Sequence, residues 1–290
     1  MISLSVLILA IIRSTIPILL VSVGGNYSAR TGTMALGMEG FLLIGAFSAA
    51  LGSFFTGVAA LGLLIGVIST MLYSLLFGVL VIKFKVNQVL SGVGLNMLAS
   101  GLTASLTQIV WGNRGYSVSV ETLSKCTVPG VGEVSYIIFF GFAITILAWV
   151  FMFRTTWGLR LRMVGENPLA ALTQGIKVKK YRYLGILFCG LLCGIAGAYL
   201  SIDHVNRFVR EMSAGRGYIA VAVNILGGFN PLGSLWASML FGTVDALSTI
   251  VFADVASAQL MQMLPYIITI IVVVISGKRV NAPAGMNMME

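Results

Sequence analysis

Apolar stretches separated by short polar ones fill almost the whole sequence. Eight of them are close to the about 20 residues that a helix needs to cross the hydrocarbon core of a bilayer. They cover residues 4–23, 32–51, 57–82, 86–111, 134–153, 183–201, 232–252 and 258–276. A further apolar piece, 217–228, is too short to span alone, and we predict that it is broken or re-entrant before Phe229-Asn230-Pro231. The pattern therefore predicts an all-α polytopic membrane protein with about nine transmembrane helices, within a range of about 8–10.

Polar connectors are predicted between these spans. They cover residues 24–31, 52–56, 112–133, 154–182 and 202–216, and a basic tail covers 277–290. The connector at 154–182 is the longest polar segment of the chain. The composition supports a membrane protein without a soluble domain.

The 290 residues are 58% hydrophobic and 9% charged, with a mean hydropathy of +1.00, whereas soluble domains carry about 25% charged residues. We therefore predict a single transmembrane domain over residues 1–290, embedded in the cell membrane and in contact with its lipid. The formal net charge of +9 does not indicate nucleic-acid binding, because the basic residues cluster beside predicted spans and no nucleic-acid motif is present.

The distribution of Lys and Arg predicts the orientation of the chain. Nine crossings would place the termini on opposite sides. One face would then carry twelve basic residues, at the 24–31 connector, at Lys83 and Lys85, in the 154–182 connector and in the tail, and the other face would carry five. Since cytoplasmic loops carry the excess of Lys and Arg, we predict an N-terminus outside and a C-terminus in the cytoplasm, on the same side as the 154–182 connector.

We predict a short helix in the 154–182 connector, because residues typical of helix ends stand on both sides of it. Asn167 is a typical N-cap, and Pro168 stands at the first helical position, where a missing N–H is harmless. Glu166 precedes that end, where a negative charge suits the helix dipole. Gly175 follows the last turn, as a C-terminal glycine does. One small apolar face is formed by Leu169, Leu172 and Ile176.

Two interpretations of this connector remain open from the residues alone. Seven Lys and Arg surround the short helix, namely Arg154, Arg160, Arg162, Lys177, Lys179, Lys180 and Arg182. The segment is either a solvated connector that tethers two spans or a helix that presents its apolar face to a cytoplasmic partner.

Several polar side chains lie within or near the apolar stretches. They are Glu39, Asn96, Gln108, Asn224 and Asp245. A carboxylate in lipid costs at least about 2.5 kcal/mol, so Glu39 and Asp245 should face a cavity or a partner group. These residues either line a pathway for a polar substrate or hold neighbouring helices together by hydrogen bonds.

Glycine spacing and one internal similarity bear on helix packing. The motifs Gly62-x-x-x-Gly66 and Gly190-x-x-x-Gly194 predict close helix contacts. Residues 28–35 and 213–220 match at four of eight positions. In the predicted orientation the two segments run in opposite directions, as in an inverted repeat.

The sequence also argues against catalysis and cofactor binding by this chain. Cys126, Cys189 and Cys193 form neither a disulfide framework nor a convincing metal site. No P-loop sequence is present, so this chain is not expected to bind ATP. The single histidine, His204, lies in a predicted loop, so no catalytic set built on histidine is expected. We predict no enzyme activity and no bound metal or cofactor.

Three blocks of sequence resemble a known family of transporters. The first is Gly158-Leu159-Arg160-Leu161-Arg162, Val164-Gly165-Glu166-Asn167-Pro168, Ala170-Ala171 and Gly175-Ile176. The second is Thr31-Gly32-Thr33-Met34-Ala35-Leu36-Gly37-Met38-Glu39-Gly40. The third is Arg216-Gly217-Tyr218-Ile219-Ala220 with Gly227-Gly228-Phe229-Asn230-Pro231-Leu232-Gly233. Over nearly the whole chain, the set resembles the branched-chain amino acid and simple-sugar permeases of ABC importers, and within them the nucleoside and simple-sugar branch.

This resemblance implies an architecture and a set of partners. The fold would be that of a type II ABC importer permease. Two permease chains, identical or different, would form the pathway, and an extracytoplasmic solute-binding protein would deliver the substrate. Two separate ATPase subunits would bind below and use ATP and Mg²⁺. The resemblance places coupling to the ATPase at Arg160, Gly165, Glu166, Asn167, Pro168, Leu169, Ala171, Leu172 and Gly175.

The resemblance also implies a substrate class. A nucleoside or simple sugar offers hydroxyls and ring nitrogens that Asn96, Asn224 and Gln108 could hydrogen-bond. Two positions depart from the branch: Met34-Ala35-Leu36 replaces a run that usually contains asparagine, and Leu169 replaces a basic or polar residue. A branched-chain amino acid is the alternative substrate within the family.

Two other functions remain open. An ion-coupled secondary transporter would also explain Glu39, Asp245 and the inverted similarity, and would need no ATPase. A membrane scaffold or sensor would bind a partner without moving a solute.

Overall fold

The computed structural model describes residues 4–123, 125–128, 132–250, 267, 274 and 284–287. Its regular elements, in chain order, are α1 (Leu4–Arg30), α2 (Met38–Thr56), α3 (Ala59–Gly78) with a π-helical end (Val79–Lys83), α4 (Gln88–Trp111), β1 (Lys125–Val128), β2 (Gly132–Ser135), α5 (Tyr136–Arg154), α6 (Thr156–Glu166), α7 (Pro168–Thr173), α8 (Val178–Ala198) with a π-helical end (Tyr199–His204), α9 (Arg216–Leu226), α10 (Pro231–Ile250) and a 3₁₀ turn (Ala284–Asn287).

Six of the described helices are long and apolar enough to cross a membrane. They are Val6–Arg30, Met38–Thr56, Ala59–Lys83, Gln88–Trp111, Tyr136–Arg154 and Val178–His204. This confirms a mostly helical, multi-pass membrane protein. The count of nine is not reproduced among the described residues. Helix α10 is long enough, with 20 residues, but its Ser, Thr and Asp side chains reduce its apolar character, and it is not among these six. The span predicted at 258–276 lies outside the described residues.

The ends of the first two spans differ from the prediction. Residues 24–31, predicted as a polar loop, continue α1 as far as Arg30. Polar side chains of this segment find partners inside the protein: Asn26 Nδ2 donates to Ser234 Oγ at 2.9 Å, and Ser28 Oγ donates to the Gly25 carbonyl at 3.0 Å. Residues 52–56, predicted as a turn, belong to α2, which ends at Thr56 and is followed by Gly57 with a φ of 65°. Conversely, residues 32–37, predicted to be helical, form the irregular start of the second span.

Helix α8 forms the centre of the bundle. It packs against α1, α2 and α3, and most of its membrane-spanning part is buried. Two glycine motifs allow close contacts between α8 and α3 and between α3 and α2, as predicted. A Cβ on Gly190 would lie 2.2 Å from Ser74 Oγ on α3, and one on Gly62 would lie 2.7 Å from the Ala49 carbonyl oxygen on α2.

The connector between α4 and α5 contains a β-hairpin that the sequence did not predict. Strands β1 and β2 are antiparallel, with Lys125 opposite Ser135 and Val128 opposite Gly132. The preceding residues pair with the segment after α8, where Ser117 N donates to Phe208 O at 2.9 Å. Residues 115–120 and 206–210 therefore lie together at one end of the bundle.

The segment from 205 to 226 runs from that end of the bundle to the opposite one. Its helical part, α9, has 11 residues and is therefore about 16 Å long, roughly half of a hydrocarbon core of about 30 Å. Phe229, just beyond α9, has a left-handed φ of 53° and precedes α10. The apolar piece predicted at 217–228 is thus too short to span alone, and irregular backbone completes its passage.

Candidate coupling and translocation sites

The short helix in the 154–182 connector is α7, and its ends are those expected from the sequence. Asn167 Oδ1 accepts a hydrogen bond from Ala170 N at 3.0 Å, and Pro168 occupies the first turn. After the helix, Gly175 adopts a φ of 75° and donates to the Leu172 carbonyl at 2.9 Å. These contacts satisfy backbone groups at both helix ends, so six residues can hold a fixed helical shape.

The apolar residues of α7 divide into an exposed and a buried set. Leu169 is 67% exposed and Leu172 is 55% exposed, whereas Ala171 is fully buried. Ile176 was predicted to share their face, but it lies beyond the end of α7 and packs against the main core. The structure therefore leaves two leucines on a short, anchored helix without cover from the described residues.

A second helix, α6, precedes α7 and was not distinguished from a polar loop in the sequence. Thr155 caps it, with its Oγ1 accepting from Gly158 N at 3.1 Å. Leu161 and Val164, spaced by one helical turn, are buried. The cap and this spacing are the signals that could have revealed α6. Arg160 lies on its exposed side.

A cavity of about 640 Å³ opens between α6 and the start of α8. Its walls include Trp157, Arg160, Lys177 and Tyr181. The rings of Trp157 and Tyr181 contact each other with centroids 6.1 Å apart. The cavity combines aromatic and cationic groups, and Gln174 and Gly175 extend its wall to the end of α7.

Arg30, at the end of α1, links the end of α6 to the turn after α9. Its Nε donates to Phe229 O at 2.8 Å and its Nη2 donates to Gly228 O at 3.1 Å, while Nη1 lies 3.5 Å from Glu166 Oε1. Backbone carbonyls just after a helix C-terminus attract a cation. The predicted coupling residue Glu166 is thereby linked through one guanidinium to the turn between α9 and α10.

Gly165 brings α6 against the end of α1. A Cβ at this position would lie 2.1 Å from the Arg30 carbonyl oxygen. Any larger residue would push α6 away from α1 and separate Glu166 from Arg30. Gly165 therefore has a steric reason to be glycine, which the sequence alone did not supply.

Glu39 caps the opposite end of α9. Its Oε1 accepts from Gly215 N at 2.8 Å, and its Oε2 accepts from Gly217 N at 2.7 Å. A carboxylate that accepts two amides at a helix N-terminus is stabilised both by the hydrogen bonds and by the helix dipole. The intramembrane charge at Glu39 thus has a structural partner on α9.

Asn96 ties α4 to the same region. Its Oδ1 accepts from Gly40 N at 2.8 Å, and its Nδ2 donates to Leu36 O at 3.2 Å and to the Tyr218 hydroxyl at 3.0 Å. We call Glu39, Asn96 and Tyr218 the Glu39 cluster. Tyr218, which was not among the predicted pathway residues, links α9 to α4 by this hydrogen bond.

The other predicted pathway residues, Asn224, Asp245 and Gln108, have different surroundings. Asn224 is 1% exposed and lies on α9, where its Oδ1 has no hydrogen-bond partner among the described residues. Asp245 Oδ2 lies 3.4 Å from Arg216 Nη2 at the start of α9. Gln108 is exposed near the end of α4 and accepts from Arg114 Nε. The structure therefore gathers Glu39, Asn96, Asn224 and Asp245 around α9 and leaves Gln108 apart.

The sequence is similar to known proteins over nearly its whole length. The family model described as "Branched-chain amino acid transport system / permease component" matches residues 7–273. The chain is 34% identical to the guanosine ABC transporter permease protein NupQ of Bacillus subtilis (strain 168), covering 97% of this chain and 94% of the relative. It is 35% identical to the nucleoside ABC transporter permease protein NupC of Lactococcus lactis subsp. cremoris (strain MG1363), covering 92% of this chain and 90% of the relative.

The fold also has a counterpart among solved structures. The complex of PsaBC from Streptococcus pneumoniae with a Fab contains a chain that superposes with a TM-score of 0.55. The two chains are 16% identical, and the match covers 97% of this chain and 93% of the other. At that identity the likeness concerns the fold.

Proposed function

We propose that this chain, which belongs to the branched-chain amino acid transport system / permease component family, is the membrane-spanning subunit of an ABC importer that takes up nucleosides. The observation that carries the substrate class is the similarity, over almost the full length of both chains, to permeases named for guanosine and nucleoside transport. This chain hydrolyses no ATP in our proposal. Separate ATPase subunits bind ATP and Mg²⁺ and drive the cycle.

The ATPase binds at α6 and α7. Leu169 and Leu172 form an exposed apolar pair on a helix whose ends are fixed by Asn167 and Gly175. An amphipathic helix of this kind can place its apolar residues into a groove on a partner. The exposure of both leucines favours the docking helix over the solvated connector, which would gain nothing from apolar side chains at its surface.

Movement of the ATPase reaches the pathway through Arg30. Glu166 follows any displacement of α6 and α7, and Arg30 contacts both Glu166 and the carbonyls of Gly228 and Phe229. A shift of a few ångström at this end therefore acts on α9. The other end of α9 is held by Glu39, so α9 can tilt or slide as one short body.

The nucleoside passes along the buried face of α9. The Oδ1 of Asn224 is a buried acceptor that a ribose hydroxyl or a base N–H can satisfy. A second permease chain, identical or different, completes the pathway, and an extracytoplasmic binding protein delivers the substrate. The N-terminus then lies outside, and the 154–182 connector lies in the cytoplasm.

Uptake measured in a host without nucleoside importers tests the function. The chain is expressed with its ATPase and solute-binding protein, and radiolabelled guanosine, a simple sugar and leucine are supplied in turn. We expect guanosine uptake that stops when the ATPase carries a change that abolishes hydrolysis. Uptake without the ATPase would identify a secondary transporter, and uptake of leucine alone would identify an amino acid permease.

The proposed orientation has a separate test. An impermeant amine-reactive label is applied to intact cells and to permeabilised cells. Lys177, which is exposed on the connector, should react only after permeabilisation. Reaction at Lys177 in intact cells would place the connector outside and overturn the orientation.

A further inference from the structure

A second cavity lies where α3 ends and α8 begins. Its volume is about 540 Å³, and Leu172 of α7 reaches its edge. It is separate from the Glu39 cluster and from the passage along α9. Of its lining residues, Leu172 is the one to which the transport cycle proposed above gives a role.

The charge on this cavity is one-sided. Five of its nine lining residues are basic, namely Lys85, Lys177, Lys179, Lys180 and Arg182. The lining residues, all in the described part of the chain, include no Asp or Glu. Glu166, the acidic residue of the neighbouring α6, is engaged by Arg30. Cations held this close repel one another, so an anion bound between them would be stabilised by several charges at once.

The remaining wall is apolar and lies at the depth of the membrane boundary. Val81 and Ile82 are buried in the last turn of the candidate span Ala59–Lys83, and Val178 opens the span Val178–His204. The cavity therefore has cations at its rim and aliphatic side chains at its floor. This arrangement matches the two parts of a lipid, a charged headgroup above and acyl carbons below.

We propose that this cavity binds the phosphate headgroup of an anionic phospholipid, such as phosphatidylglycerol. Basic pockets between transmembrane helices on the cytoplasmic side are recognised sites for such headgroups. The apolar floor favours a lipid over an acidic protein surface, because a cytoplasmic protein does not enter the depth of Val81 and Ile82. Binding does not depend on the transported substrate, so it stands apart from the proposed function.

The site has a consequence for the connector. Lys177 and Lys180 line both this cavity and the larger one beside α6. A lipid phosphate held by Lys179 and Lys180 would fix the start of α8 and, through Leu172, the position of α7. Anionic lipid would thus hold α7 in place; this consequence for the ATPase, unlike lipid binding itself, rests on the proposed function.

Native mass spectrometry of the full-length chain in detergent tests this proposal. The wild type is compared with a Lys85→Gln, Lys179→Gln, Lys180→Gln variant after addition of phosphatidylglycerol, phosphatidylcholine or inorganic phosphate. Since each basic residue near an anionic lipid surface contributes about fivefold to binding, we expect the variant to bind phosphatidylglycerol at least about tenfold more weakly. The matched control is Lys83→Gln, whose Nζ lies over the ring of Phe84, outside the cavity lining.

Retained phosphatidylglycerol in the wild type and the control, with loss in the triple variant, supports the site. Equal retention of phosphatidylcholine by the wild type would overturn it. Displacement of the lipid by millimolar inorganic phosphate would assign the cavity to free phosphate instead. A triple variant that binds lipid normally but no longer retains the ATPase in a pull-down would assign the cavity to a protein partner, and circular dichroism of each variant excludes misfolding as the cause.

Discussion

Arg30→Gln removes the guanidinium that joins Glu166 to the end of α9. Its hydrogen bonds to two backbone carbonyls measure 2.8 and 3.1 Å, and the side chain is only 19% exposed. Hydrogen bonds from a charged donor contribute about 1.5–3 kcal/mol each. Glu166 is 55% exposed, so the ion pair adds at most about 1 kcal/mol. Glutamine can remake one carbonyl contact, which leaves an expected loss of about 2–4 kcal/mol in the link.

A reconstituted importer shows the effect directly. The permease, its ATPase and its binding protein are placed in proteoliposomes, and guanosine uptake and ATP hydrolysis are measured on the same sample. Because about 1.4 kcal/mol corresponds to a factor of ten, we expect uptake to fall by at least about tenfold while hydrolysis continues. Futile hydrolysis is the signature of a broken link, since a permease that merely failed to bind the ATPase would lose both activities.

Two comparisons make this result specific. Arg154→Gln changes another cation at the same end of the bundle, whose guanidinium carbon lies 5.7 Å from the centroid of the Trp149 ring, and it should leave uptake within about twofold of the wild type. In a double-mutant cycle, Glu166→Gln should lose most of its effect once Arg30 is already Gln. Normal uptake per ATP in Arg30→Gln, at normal membrane levels, would refute the proposed route through Arg30.

Three further changes probe the connector and the Glu39 cluster. Leu172→Asp should weaken ATPase binding at least about tenfold in a pull-down, because it places a charge in an apolar contact. Gly165→Ala should destabilise the protein by about 1–3 kcal/mol, measured as a lower melting temperature in detergent, because its Cβ would lie 2.1 Å from a backbone oxygen. Glu39→Gln should speed deuterium exchange at the amides of α9 that the carboxylate caps, since a neutral amide offers one acceptor oxygen.

Each of these changes has its own comparison. Thr173→Asp adds the same charge to an exposed position of α7 and should leave ATPase binding intact. Gly94→Ala adds a methyl group where no atom lies within 4 Å and should not lower the melting temperature. Unchanged exchange at Gly215 and Gly217 in Glu39→Gln would show that the carboxylate does not cap α9 in the membrane.

Features encoded by neighbouring residues could be predicted from the sequence. The cap at Asn167, the proline after it and the glycine at Gly175 lie within a few residues of the helix that they bound. The apolar length of most spans was equally local, and the short apolar piece before Phe229 was recognised as too short to cross. Such signals need no knowledge of which helices become neighbours.

Features that depend on distant contacts could not be predicted. Asn26, near the end of α1, indicated a loop because its partner, Ser234, lies 208 positions away. The bridge from Arg30 to Gly228 spans 198 positions. A polar side chain looks the same in the sequence whether water or a distant helix satisfies it, so pattern alone placed the end of α1 several residues too early.

Glu39 shows why the same residue supports two functions until its partner is known. A carboxylate within an apolar stretch has few stable surroundings, which made a substrate pathway a reasonable interpretation. The free amides at the start of a helix that begins inside the membrane face the complementary problem, because water is scarce there and unpaired backbone groups are costly. Placing Glu39 against Gly215 and Gly217 resolves both problems with one pair of contacts. The charge is therefore explained by building a crossing from a half-length helix, and the import cycle proposed above assigns substrate contact instead to Asn224 Oδ1, a buried acceptor without a hydrogen-bond partner among the described residues.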